Sequence, residues 1–526
     1  QKDFLKPFEY IIASNRALAV RELVVRCLTQ MILARGKNIK SGWKSIFIVF
    51  TTAAGESDQS IVSLAYEITQ RILDDFFELI SPGFFVECVN CLVAFAKNKR
   101  LKEIGCQAVE ALHTSATHLA EGKVFEISPD DEGIAFSDNE HDMKFWFPIL
   151  TGLSEVISHP HVDVRKNSLD TLFEIMFTYG ELFSAGLWEL VFRGVLFPVF
   201  DNVRHAGDGS WLKEDNEWLT STCLNALSLF VKLFSHFFER VNFLLNDCLA
   251  LLTSCILQEN QHLASIGATC FLQLVMMNGT KWTTEMWGTI CFTIQYIITH
   301  NRSIELLTFV QPTTPTRPQT NDNDSAAPVT EKTEEKKEAV EETEKQAETI
   351  EQKLIQATPP KYFPYDIHVI TGKSNVLLQL LETTKDILVT HLQVLEIEHL
   401  EIVLKTLQEA YAFAYEVNNK KEVWKATGKS TIMQLVIRHE SMSASILLDV
   451  LFQLYSSDIE SRVTFAEESL IPFTEKILRE YKTLSPSTPA AYALSKVPIM
   501  LQTISGIEEL SNDQVCFILH SFVYRL

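Results

Sequence analysis

A chain of 526 residues that is 46% apolar, with only 19 Gly and 17 Pro, is too long for one core and too sparsely punctuated for many short strands. Its formal charge of −21 excludes a general nucleic-acid binder, because a phosphate backbone is held through an excess of cations. Ten Cys in apolar, helical contexts without framework spacing exclude a disulfide scaffold and suit a reducing compartment.

The chain opens in charged, amphipathic sequence without an initiator Met, and reads as a piece of something longer. No signal peptide and no run of 18 apolar residues is present; the best candidate span, residues 241–257, is broken by Asn246 and Asp247. Residues 1–50 carry nine Lys/Arg against Asp3, Glu9 and Glu22, a local +6 in an acidic protein. The bland account is solvated helix faces; the sharper one is a basic surface for an anionic membrane or acidic partner. The candidates are Arg21, Arg26, Lys37, Lys40 and Lys44. The three lysines recur at three- and four-residue spacing and are expected to share one helix face. Trp43 beside them is either an interfacial contact or a buried core residue. Cys88-Val-Asn-Cys91 is a CxxC without a second pair and is expected to pack in a core.

A nine-residue frame then recurs, apolar at positions one, six and nine and small or apolar at five. Val20, Val24, Val25 and Leu28 fit it, as do Ile104, Ala108, Val109 and Leu112. So do Val164, Ser168, Leu169 and Leu172; Leu219, Cys223, Leu224 and Leu227; and Ile266, Cys270, Phe271 and Leu274, with a weaker copy from Ile61. A period in the low forties with two helices per unit is the pattern of HEAT or armadillo repeats, an all-α solenoid of stacked helix pairs. Two longer intervals hold insertions: residues 126–142, with seven acids and no Lys or Arg, and residues 201–218. In the copy at Val164, Asp163 is expected to cap the helix and Arg165 to pair with an acid of the neighbouring unit, both stabilising the repeat. His159 and His161 precede that helix without a third ligand nearby, so no metal is expected.

Pro, Asn, Asp and Ser followed by Glu/Lys low complexity mark residues 308–360 as a disordered linker. Helical patterning resumes after it, with candidate helices at Ser374–Leu392, Glu398–Val417, Thr431–Tyr455, Ser461–Leu484, Tyr492–Ser505 and Asp513–Tyr524. The expected organisation is therefore basic N-terminal repeats (1–123), an acidic insertion (124–143), further repeats (144–307), the linker, and C-terminal helical repeats (361–526). Gly372-Lys373-Ser374 and Gly428-Lys429-Ser430-Thr431 look like tails of phosphate-binding loops. Each lacks the Gly five residues upstream that such a loop needs. No catalytic constellation, cofactor site or metal site is expected.

Five stretches, Asn15–Ile32, Asn38–Phe50, Asp163–Gly180, Val191–Asn202 and Asn278–Trp287, together with Phe145–Leu150, resemble the region downstream of the catalytic domain in large, brefeldin-A-inhibited ARF guanine-nucleotide exchange factors of the trans-Golgi. The resemblance is collinear over residues 1 to about 300 and weak beyond Pro360. No stretch like the family's FRLPGE catalytic motif occurs. The resemblance thus implies a non-catalytic regulatory scaffold, peripheral on Golgi membrane. It would contact GTP-loaded ARF-family or other small GTPases, the exchange domain of its own parent chain and anionic lipid, with self-association left open. The rival is an acidic HEAT-repeat cargo carrier of the karyopherin type, against which those sequence blocks speak.

Overall fold

The computed structural model describes residues 2–80, 83–122, 138–201, 222–308, 366–427, 431–486 and 488–525. Among these every regular element is a helix, and the chain forms two compact units, Gln1–Thr293 and Ile294–Leu526. Most of the acidic insertion and nearly all of the 308–360 linker lie outside the described residues, as does Gly428-Lys429-Ser430.

The first unit is a two-layer stack of helix pairs. α1 (Lys2–Ser14), α3 (Trp43–Ala54), α5 (Phe85–Ala96), α7 (Asp138–Val156) and α9 (Ala185–Val191) pack in succession to form one layer. α2 (Leu18–Arg35), α4 (Gln59–Phe76), α6 (Lys102–Ala120), α8 (Val162–Tyr179), α10 (Leu224–His236) and α12 (Gln261–Asn278) form the other, with α11 (Leu245–Ile256) paired to α12. The recurring frame falls on this second layer, and this makes the unit an α-solenoid. Val24, Val25, Leu28, Ala108, Val109, Leu112, Ser168, Leu169 and Leu172 are all buried between successive repeats. None of these helices can bury its apolar stripe alone, so each depends on its neighbours.

The copy beginning at Leu219 holds only in part: Cys223 and Leu227 are buried as the frame expects, and Leu224 is not. Leu219 lies outside the described residues, and Leu224 is 48% exposed. The buried stripe of α10 runs instead through Cys223, Ala226, Leu227, Phe230, Val231 and Phe234. Phe230 meets Phe192, Phe197 and Phe200 at centroid distances of 5.6–6.1 Å, and this aromatic cluster sets the rotation of the helix.

Helix starts use short polar side chains as expected for orphan N–H groups. Asp58 accepts from Ser60 N and Ile61 N at 3.0 and 3.2 Å to begin α4, and Asn260 accepts from His262 N and Leu263 N at 3.0 and 3.2 Å to begin α12.

After α13 (Thr284–Asn301), whose residues divide between the two units, the second unit uses α14 (Ile367–His391), α15 (Ile397–Asn419), α16 (Thr431–Tyr455), α17 (Glu460–Lys482), α18 (Ala490–Glu508) and α19 (Asn512–Arg525). α16 is central and packs against α14, α15, α17 and α18. Gly372-Lys373-Ser374 lies inside α14, where no loop exists to cradle a phosphate. His439 of α16 is 2% exposed, and its Nε2 lies 2.7 Å from the Ser374 carbonyl.

Burial pushes His439 down to about 4, and it lowers His391 and His159 as well. A histidine kept neutral in the fold takes up a proton only when the chain unfolds. Its contribution is therefore present above about pH 6.5 and is lost as pH falls toward the folded value. Between pH 6.5 and 5, His439 should weaken the fold by about 2 kcal/mol. Urea midpoints of the wild type and of His439→Gln at pH 7.5 and pH 5 check this; the variant should lose about that much less on acidification.

Candidate functional site

The basic residues of the N-terminal segment are not presented alike. Lys37 lies in a short 3-10 turn (Gly36–Asn38), Lys40 in the following bend, and Lys44 in the first turn of α3. The shared helix face expected from their spacing does not form, because the chain turns between Gly36 and Gly42 before α3 starts. Lys37 and Lys40 are exposed. Lys44 instead bridges two repeats, its Nζ 2.7 Å from Glu87 Oε1 of α5, and that carboxylate raises the lysine's affinity for its proton. Arg21 is tied to Glu56 at 2.9 Å and Arg26 to Glu22 one turn away at 2.6 Å. Trp43 is wholly buried. It stacks on Phe47 (6.1 Å) and meets Phe76 (6.2 Å), so it anchors the turn from inside.

Asp163 and Arg165 also find partners other than those expected. His161 occupies the position before α8, and Asp163 lies in the first turn, paired across the repeat to Lys102 at 3.3 Å. Arg165 is buried, and its Nη1 donates to the carbonyls of His159 and Pro160, both at 2.9 Å, in its own turn. The ridge on which it sits is built from hydrogen bonds between repeats. Asn98 Nδ2 donates to Ala54 O at 2.8 Å, His159 Nε2 lies 3.2 Å from Asn98 O, and His161 Nε2 lies 3.0 Å from Lys99 O. The two histidines thus staple adjacent repeats. Arg462 repeats the arginine device in the second unit, donating to the carbonyls of Leu392, Gln393 and Leu395 at 2.9–3.1 Å. Cys88 and Cys91 are fully buried in α5, and burial raises both thiols, Cys91 to about 12, so neither is a ready thiolate.

One constellation escaped the sequence. In the second unit Lys496 of α18 is 4% exposed and lies between two buried carboxylates, contacting Glu440 of α16 and, at 2.8 Å, Glu480 of α17. Tyr411 donates to Glu480 at 2.5 Å, Tyr492 to Glu440 at 3.2 Å, and Asn418 Nδ2 to Glu440 at 2.6 Å. The Lys496 ammonium also lies 4.9–5.7 Å from the ring centroids of Tyr411, Tyr415 and Tyr492. Desolvation raises the Glu440 carboxyl despite this company. The cluster joins four helices through one buried ionic group. A signal did exist: Lys496 falls on the stripe Tyr492, Ile499, Thr503, the buried face of α18.

No group of three or more His, Cys, Asp or Glu among the described residues could hold a metal, and no described helix is long and apolar enough to cross a membrane.

Three family models match in order along the chain: a Mon2/Sec7/BIG1-like HDS segment over residues 1–71, a GBF1-like tetratrico peptide repeat region over 146–273, and a BIG2 C-terminal domain over 375–526. The rat brefeldin A-inhibited guanine nucleotide-exchange protein 1 is 31% identical over 592 aligned positions that span 100% of this chain and 31% of that protein. The Arabidopsis thaliana exchange protein 2 is 37% identical over 55% of this chain and 18% of its own length, and the human exchange protein 1 is 38% identical over 55% and 16%. The chain thus spans less than a third of these relatives. Among solved structures, a circular tandem repeat protein aligns at 9% identity over 100% of this chain and 91% of its own (TM-score 0.27). An importin beta aligns at 10% over 99% and 70% (TM-score 0.24). Both scores are too low to bear on architecture.

Proposed function

We propose, for a chain that belongs with the brefeldin A-inhibited guanine nucleotide-exchange proteins along its whole length, that it is a non-catalytic regulatory scaffold. In this reading it helps place an exchange domain of its parent protein on anionic Golgi membrane and controls ARF activation there, through contacts with GTP-loaded small GTPases. The observation that carries the reading is the exposed turn bearing Lys37 and Lys40, held at the N-terminal end of α3 by buried Trp43. A turn presenting exposed cations favours an anionic surface, at about 1 kcal/mol per cation close to the bilayer. Lys44, Arg21 and Arg26 contribute less, because their charge is already met by Glu87, Glu56 and Glu22.

Flotation of the full chain with anionic liposomes tests this, first bare and then carrying an ARF-family GTPase loaded with GDP or GTP. Recruitment should depend on the GTP form and fall several-fold in Lys37→Glu/Lys40→Glu. Equal flotation of wild type and variant under every condition would remove these lysines from the account. No flotation at all would end the recruitment reading.

A further inference from the structure

An open groove of about 550 Å³ lies between two successive repeat turns of the first unit, where α3 and α5 end. Its lining includes Thr51, Ser57, Asn90, Lys97, Lys99 and Arg100. The second of these turns reads Lys97-Asn98-Lys99-Arg100-Leu101-Lys102, four cations in six residues of an acidic chain. Its shape is fixed from inside by buried Asn98. The Asn98 amide donates to Ala54 O, and its Oδ1 accepts from Arg100 N at 2.9 Å and Leu101 N at 3.1 Å.

The charges around the groove do not cancel. Lys97 is met by Glu155 at 2.7 Å and Lys102 by Asp163 at 3.3 Å. Glu56, the acid in the lining, is held by Arg21 at 2.9 Å. Lys99 and Arg100 have no carboxylate partner among the described residues. Arg100 reaches across the groove, its Nη1 donating to Ser57 O at 3.2 Å, which leaves the rest of the guanidinium fork for another acceptor. Two uncompensated cations therefore face a concave space that also offers the Asn90 amide and two hydroxyls. The volume is in the range that admits several side chains. A bilayer, being flat, meets such a recess poorly, whereas an extended chain enters it.

We propose that this groove binds an acidic peptide segment of a partner protein. One carboxylate would meet the Arg100 fork and another Lys99, with the peptide backbone against Asn90. The site is independent of the Lys37/Lys40 turn. That turn leads into the N-terminal end of α3 and the groove lies at its C-terminal end, about 18 Å away along twelve residues of helix.

The test is fluorescence anisotropy of a fluorescein-labelled octaglutamate peptide titrated with the full chain. Three variants accompany it: Lys99→Glu/Arg100→Glu, Asn90→Trp (which fills the groove without changing charge), and Lys37→Glu/Lys40→Glu. All change exposed side chains, and circular dichroism confirms their folds. The wild type should bind, and the affinity should fall about tenfold or more on reversal of the two groove cations, each a charge-assisted contact. It should also fall in Asn90→Trp and be unchanged in Lys37→Glu/Lys40→Glu. No binding by the wild type, or binding insensitive to Asn90→Trp, overturns the proposal. So does a result in which vesicles of equimolar phosphatidylcholine and phosphatidylserine, and not the peptide, respond to the groove variants.

Discussion

Replacing Lys496 with Met should lower the unfolding free energy of the second unit by about 3–5 kcal/mol at pH 7, the usual consequence of removing one partner from a buried ionic group. Lys496 is the cation shared by Glu440 and Glu480, which are 1% and 8% exposed. Without it, Glu480 keeps the Tyr411 donor and the Lys476 ammonium 3.9 Å away, whereas Glu440 is left in dehydrated surroundings with Tyr492 and Asn418 as its donors and no cation beside it among the described residues. Glu440 is thus the carboxylate pushed toward its neutral form. The deficit should therefore depend on pH. Glu440 already holds its proton more tightly than a free glutamate. Loss of Lys496 strengthens that tendency, so the folded variant binds more protons than the unfolded chain and regains stability as pH falls toward 5. Denaturant titration at pH 7.5 and pH 5.5 measures both effects. The triple variant Lys496→Met, Glu440→Gln, Glu480→Gln separates a charge effect from a packing effect: most of the lost stability should return if the stranded charge is the cause. If the single variant is as stable as the wild type, the cluster does not hold the four helices together.

The helical solenoid was legible because its signal is repeated. The copies at Val20, Ile104 and Val164 bury the same stripe, and a period of 3.6 over 18 residues is difficult to misread. The helix Thr431–Tyr455 is found at the bounds expected from its apolar pattern. What failed to show were features decided by neighbours distant in sequence. Leu224 faces solvent while Phe230 of the same helix packs into an aromatic cluster with Phe192, Phe197 and Phe200. Lys37, Lys40 and Lys44 have helical spacing, yet the glycines at 36 and 42 bracket a turn between them. Asp163 pairs with Lys102 and does not cap α8, and Arg165 satisfies carbonyls and not an acid, since a helix entering from a turn leaves those groups unpaired. The stripe of α18 marks Lys496 as buried, but its partners lie in pairs 16, 52 and 69 positions apart, a spacing that does not say which carboxylates meet it.

Trp43→Ala should destabilise the first unit by about 3–5 kcal/mol, and the loss should be concentrated at its N-terminal repeats. Trp43 is 0% exposed, and the void left by its indole would open beside Phe47 and Phe76. Phe76 in turn packs so closely on Gly36 that a methyl group there would lie 2.7 Å from its ring. Trp43, Phe76 and Gly36 therefore form one chain of contacts that fixes the turn carrying Lys37 and Lys40. Two roles for Trp43 make opposite predictions. As an internal anchor, it should emit at the short wavelengths of a buried indole, Trp43→Ala should speed amide exchange in α2 and α3 ahead of α5 to α8, and vesicle binding should weaken only in step with that loosening. As an interfacial residue, it would leave stability untouched when removed and abolish vesicle binding outright. Trp43→Phe sharpens the distinction. The indole N–H is buried without a hydrogen-bond partner, so a phenyl ring discards an unsatisfied donor while filling much of the space. That variant should keep most of the stability and nearly all of the vesicle binding if the packing is what positions the lysines.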